Sequence, residues 1–80
     1  MKEILKKFII DNYLLSSGAI KDDESFLENG IIDSIGVIEL TNFIQDKFNI
    51  KITVPEIVPE NLDSLNNLER YITRKLRSSK

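Results

Sequence analysis

Residues 30–40 read Gly30-Ile31-Ile32-Asp33-Ser34-Ile35-Gly36-Val37-Ile38-Glu39-Leu40. An apolar pair runs into Asp-Ser, and a helical pattern begins at once. Asp and Ser are favoured at helix starts because their side-chain oxygens accept from first-turn N–H groups that lack an intrahelical acceptor. Beyond them, Val37, Leu40, Thr41, Ile44 and Phe48 recur at the 3.6-residue period and form one continuous stripe. The spacing predicts a helix over 34–48, with Asn49 as its stop. Ser34 falls at or beside its first residue, with the hydroxyl close to solvent.

On the N-terminal side, residues 2–15 read as a first helix. Ile4, Leu5, Phe8, Ile9 and Leu15 mark one face, and Ile10, Tyr13 and Leu14 widen it. Ser16-Ser17-Gly18 ends it, glycine being common just past a helix C-terminus. The connection over 16–33 is long, yet Ile20, Phe26, Leu27, Ile31 and Ile32 make it too apolar for a free linker. Phe26 and Leu27 are expected to pin it to the bundle, and Glu28-Asn29-Gly30 reads as a turn. The charged stretch from Lys21 to Glu24 is expected to be its mobile part.

On the C-terminal side, Ile50-Lys51-Ile52 is too short an alternation to predict a strand. Thr53-Val54-Pro55-Glu56 is a capping box with proline in the first turn. Pro59 disfavours helix at Val58, so the third helix is expected to be one turn near 54–58. Asp63-Ser64 opens a last helix over about 64–76, with Leu65, Leu68, Tyr71 or Ile72, and Leu76 on its buried face. Arg77 to Lys80 are expected to fray. The chain therefore reads as a single all-α domain over 1–80: a small four-helix bundle with three main helices, one short third helix, and a long first connection.

Composition removes several functions. The 80 residues contain no histidine and no cysteine. That excludes disulfides, thiolate zinc sites, and the usual imidazole base near neutral pH. No metal ligand set is expected, nor catalysis by this chain. No apolar run is long enough to span a bilayer, and the start at Met1-Lys2-Glu3 lacks the apolar core of a signal peptide, so a cytoplasmic protein without stable membrane insertion is expected. Asp22, Asp23, Glu24, Glu28 and Asp33 oppose Lys21 alone in 21–33, while Arg70, Arg74, Lys75, Arg77 and Lys80 oppose Glu69 alone in 64–80. Both runs read as solvated surface. A nucleic-acid face would interleave aromatics with the basic residues, and only Tyr71, at a core position, lies among them.

The Asp33-Ser34 pair and its surroundings resemble the attachment site of the acyl and peptidyl carrier proteins, over about Ile4 to Leu76. Ser25-Phe26-Leu27-Glu28 before the site fits that pattern. So do Phe48-Asn49-Ile50-Lys51-Ile52 after the helix, and the closing helix around Leu65, Leu68, Tyr71 and Ile72. The resemblance implies a 4′-phosphopantetheine arm, taken from coenzyme A and esterified to Ser34. Its thiol would carry acyl or aminoacyl cargo as a thioester for lipid, polyketide or related biosynthesis. It implies three kinds of partner: a phosphopantetheinyl transferase, a loading ligase or synthase, and downstream acyl-transfer enzymes. A monomer is expected. It gives Asp33 a role in holding the transferase's metal and coenzyme A, beside the plain role of helix cap. Ile35, Ile38 and Glu39 would be read by partners, or would be half-buried rim and ordinary surface charge. An acyl pocket, if formed, would lie between the second and third helices, near Val37, Leu40 and Ile57.

Gly36 stands where this family commonly has an acidic residue, and Asn42, Gln45 and Lys47 dilute the acidic character of the helix. The version here looks closer to free-standing carriers charged by an adenylating ligase, such as D-alanyl carriers. The alternative function is a non-catalytic helical interaction module of carrier-like shape, docking a partner helix on Ile35 and Ile38.

Overall fold

The structure, a computed structural model, describes residues 1–13 and 20–78. Among them it contains helices and no strand: α1 (Lys2–Tyr13), α2 (Ser34–Phe48), a 3₁₀ turn (Val54–Glu56), α3 (Pro59–Leu62) and α4 (Leu65–Ser78). The core forms where three amphipathic faces meet. Leu5 and Ile9 of α1, Leu40 and Ile44 of α2, and Leu65, Leu68, Tyr71 and Ile72 of α4 are all buried. Beside them, Phe8 stacks on Phe43 at 4.1 Å between ring centroids. α2 ends at Asn49, whose φ of 55° and ψ of 47° place it in the left-handed region that asparagine tolerates.

The connection into α2 is fastened at two points. Its far end winds around Phe26, which is 1% exposed. The Phe26 N–H donates to the Asp63 carbonyl at 2.8 Å, and the Leu27 N–H to the Asp63 carboxylate at 2.9 Å. The Ser25 hydroxyl donates to the same carboxylate. The Ile31 N–H then closes back on the Phe26 carbonyl at 2.8 Å, across a turn in which Gly30 takes φ +65°. The near end, expected to be mobile, is also tied down. The Asp22 carbonyl accepts from the Asn66 N–H at 2.9 Å, and Lys2 bridges Asp22 and Glu69.

Several expectations need correction. Leu27 does not pin the connection by its side chain, which is 45% exposed. In so tight a turn neighbouring side chains diverge, and Phe26 takes the interior. Ile4 is 38% exposed and Leu76 39%, so neither belongs to the core; Leu76 lies beyond Ile72, the last fully buried residue of α4. The described part of the first helix ends at Tyr13, and Leu14 and Leu15 lie outside the described residues. The single turn expected near 54–58 is instead two. The 3₁₀ turn ends at Glu56, Val58 is extended at φ −133° and ψ 155°, and α3 starts at Pro59. Proline keeps Val58 out of the helix, but its own fixed φ suits the first helical position. α4 begins after Ser64, whose Oγ accepts from the Asn67 N–H at 3.1 Å. It continues through Arg77 and Ser78, which were expected to fray.

Phe26 is the apolar anchor of the only segment leading into α2, so Phe26→Ala should cost about 3–5 kcal/mol. Urea unfolding followed by circular dichroism measures this. A loss under about 1 kcal/mol would mean that the Asp63 hydrogen bonds hold the turn without the ring.

Candidate functional site

Asp33 fixes where α2 starts. Its backbone is extended, its Oδ1 accepts from the Gly36 N–H at 2.8 Å, and its carbonyl accepts from the Val37 N–H at 2.9 Å. Ser34 is the first helical residue and is exposed. The N–H groups of Ser34 and Ile35 come before any intrahelical acceptor, so the positive end of the helix dipole lies beside the Ser34 hydroxyl. Ile35 is 70% and Ile38 59% exposed, and both stand off the buried stripe of α2.

Ser34 also lines a half-open cavity of about 300 Å³. Val37, Ile38 and Leu40 form its α2 side, and Phe26 and Ile32 its base. Ile57, Val58, Pro59 and Leu62 form the opposite wall. Among the described residues, only Ser34 and Asp63 bring polar side chains to this lining. Asp63 is occupied there by Ser25 and Leu27.

Glu39 is exposed, but its carboxylate is engaged. The Tyr13 hydroxyl donates to Oε1 at 2.6 Å, joining the end of α1 to α2. Burial first, and the Glu39 carboxylate second, raise the Tyr13 phenol well above its ordinary value. Sequence reasoning missed this pair, because an acidic residue on an exposed helix face carries no sign of a partner 26 positions away.

Gly36 has a reason that sequence reasoning also missed. A Cβ there would lie 2.7 Å from Ile32 Cγ2 and 3.3 Å from Tyr13 Cε1. Ile32 is buried and its Cγ2 sits on a branched Cβ, so it has little freedom to withdraw. The glycine lets the incoming chain and Tyr13 approach the first turn of α2. The available signal was a helix-disfavouring residue inside the first turn of a strong helical pattern.

The chain has no histidine or cysteine, so no imidazole or thiolate base stands beside Ser34, and the neighbouring Asp33 Oδ1 accepts from the Gly36 N–H. Among the described residues no group of acidic side chains is placed to hold a metal ion. No described helix is long and apolar enough to cross a membrane.

The sequence profile of the phosphopantetheine attachment site family matches residues 4–72. An acyl carrier protein of Wolinella succinogenes is 28% identical over 68 residues, covering 85% of this chain and 87% of the relative. A D-alanyl carrier protein of Streptococcus gordonii is 26% identical over 65 residues, covering 81% and 82%. A D-alanyl carrier protein of Leuconostoc mesenteroides is 35% identical over 52 residues, covering 65% and 63%.

Gly36→Ala should destabilise the protein by about 1–3 kcal/mol through the clash with Ile32. An unobstructed helical glycine would gain about 1 kcal/mol from the same change. Urea unfolding gives the sign, and a stabilised variant would show that Ile32 yields freely.

Proposed function

The chain belongs to the phosphopantetheine attachment site family, and from that premise we propose that it is a discrete carrier protein with the arm attached through the Ser34 hydroxyl. The observation that carries this is the position of Ser34: exposed, first in α2, and on the rim of the apolar cavity. A phosphodiester fits there. The first-turn N–H groups and helix dipole favour a negative group by about 0.3–1 kcal/mol at an exposed site. When bound, the arm supplies a thiol that this cysteine-free chain lacks, and cargo is held on it as a thioester.

Ser34 is a substrate hydroxyl that a transferase modifies. The phosphorus–oxygen bond within the coenzyme A diphosphate breaks, a bond to Ser34 Oγ forms, the hydroxyl proton leaves, and the adenosine bisphosphate departs. Asp33 holds the first turn so that Oγ stays outside. By its charge beside the serine, Asp33 also offers the transferase and its metal a contact. Ile35 and Ile38 supply the apolar surface on which the transferase and loading enzyme close, and Glu39 gives that face one charge, steadied by Tyr13.

The cavity supports an acyl cargo. At about 300 Å³ it lies at the small end of ligand pockets, and its lining suits a short or medium alkyl chain continuing inward from the rim. The D-alanyl carrier relatives support a second reading, an aminoacyl cargo that stays outside because a charged amine would be desolvated in a lining that is apolar but for Ser34 and Asp63. The loading enzyme is then an adenylating ligase. For an acyl cargo it is an acyl ligase or synthase, with acyl-transfer enzymes downstream.

Intact mass after incubation with coenzyme A and a promiscuous transferase should rise by one phosphopantetheine in the wild type and not in Ser34→Ala, whose fold should stay within about 0.5 kcal/mol of wild type because Asp33 supplies the cap. An unmodified wild type would favour the interaction-module reading. A modified Ser34→Ala would move the site elsewhere.

Ile38→Ala should keep its melt within about 0.5 kcal/mol of wild type while slowing modification, because apolar anchors beside the reacting group concentrate interface energy. If Ile38→Ala unfolds the protein instead, the side chain belongs to the core.

A further inference from the structure

The wall of the cavity opposite α2 is built unlike the rest of the molecule. Between Ile52 and Leu62, both buried, none of residues 53–61 is fully buried. Val54 is 81% exposed, and Val58, Pro59 and Glu60 are exposed as well. Ile57 alone packs an apolar side chain against the core from within this stretch. Segments with so few buried apolar contacts open at low free-energy cost unless something else restrains them.

Here polar ties to α4 supply the restraint: the Asn67 amide donates to the Pro59 carbonyl at 3.3 Å, and the others converge on Glu56. Its Oε1 accepts from the Thr53 N–H at 3.0 Å and from the Thr53 hydroxyl at 2.8 Å, which winds the 3₁₀ turn. Lys75 Nζ reaches both carboxylate oxygens, at 3.1 and 3.2 Å, which fixes that turn to α4. Both side chains of the pair are about one quarter exposed, at 26% and 28%. The Asn61 amide donates to the Glu56 carbonyl at 2.9 Å, and Arg74 donates to Asn61 at 3.2 Å. The Thr53 N–H first, with the Thr53 hydroxyl and Lys75 adding to it, holds the Glu56 carboxyl down at about 2 against its burial. The buried Tyr71 hydroxyl feels the same charge. Its burial first and Glu56 second push the phenol up to about 12.

We infer that Lys75, acting through Glu56, is a positioning residue that sets where the 54–59 wall stands, and therefore how large a molecule the cavity beside Ser34 admits. Lys75 lies on α4 and does not line the cavity. It acts only by holding the turn from which Ile57, Val58 and Pro59 follow. Without its charge the capping box survives, since Thr53 still pairs with Glu56, but the turn is no longer bound to α4 by an ion pair. The wall then keeps only the Arg74–Asn61 and Asn67–Pro59 hydrogen bonds to α4 and moves more freely between its buried ends, Ile52 and Leu62. The consequence for cargo size rests on the carrier reading above; the latch itself does not.

The test uses the unmodified full chain and a neutral apolar fluorophore bulkier than an alkyl chain, N-phenyl-1-naphthylamine, whose emission rises on burial. Lys75→Met keeps the aliphatic stem and removes the charge. Its affinity for the probe should be about fivefold higher than wild type, the factor matching about 1 kcal/mol for a partly screened ion pair. Exchange broadening in ¹⁵N relaxation dispersion should appear over 53–62 and not in α1. Lys75→Arg should restore both readouts, which loss of packing alone would not allow. Glu56→Gln, which keeps acceptors for Thr53, should shift the probe affinity as Lys75→Met does, and it serves if Lys75→Met does not fold. Binding by the variants and none by wild type supports the latch in its tightest form. Equal affinity in wild type and variants, no binding by any of them, or broadening spread over all helices would overturn it. None of these readouts needs Ser34 to carry an arm, so a failure here and a failure of the attachment experiment are distinguishable.

Discussion

The close approach at the first turn of α2 is the constraint on which the site depends. Ile32 enters it from the connection and Tyr13 from α1, and both meet Gly36, whose missing Cβ leaves them the space. Asp33 closes the same turn by accepting from the Gly36 N–H. Three elements are thereby registered against one another within a single helical turn. Ser34, inside that turn, is held by its neighbours while its own side chain stays outside. The proposed attachment at Ser34 calls for this combination of fixed backbone and exposed hydroxyl.

The connection and the wall across the cavity solve a different problem by different means. Residues 25–32 bury Phe26 and Ile32, and Asp63 gathers the polar groups of the turn around the ring. Residues 53–61 have almost nothing to bury, so their position rests on Glu56 and the charges of α4. One side of the cavity is therefore anchored by packing and the other by polar contacts. For a carrier that must receive and release cargo, the side with few buried contacts is the one that can move.

The helical class was legible because apolar residues recur at the helical period in three long stretches, and the start of α2 because Asp33-Ser34 is a cap directly in front of one of them. The exposure of Ile35 and Ile38 followed from their places off that stripe. What sequence could not give was contact across the chain. Glu39 looked like free surface charge and is held by Tyr13. Gly36 looked like a missing acidic residue and is a point of close approach. Pro59 was read only as a stop, although its fixed φ opens α3. Leu27 and Leu76 fitted apolar patterns, yet no local rule says which of two neighbouring apolar residues a turn will bury, or where a core ends along a helix.

The central claim, attachment at Ser34, is tested most directly by locating the arm in the wild-type chain. Fragmentation mass spectrometry of a peptide spanning residues 21–47, taken after transferase treatment, reads the modified side chain. The account predicts a single phosphopantetheine on Ser34, with Ser25 in the same peptide unmodified. An arm on Ser25, or a peptide that carries no arm, would contradict it.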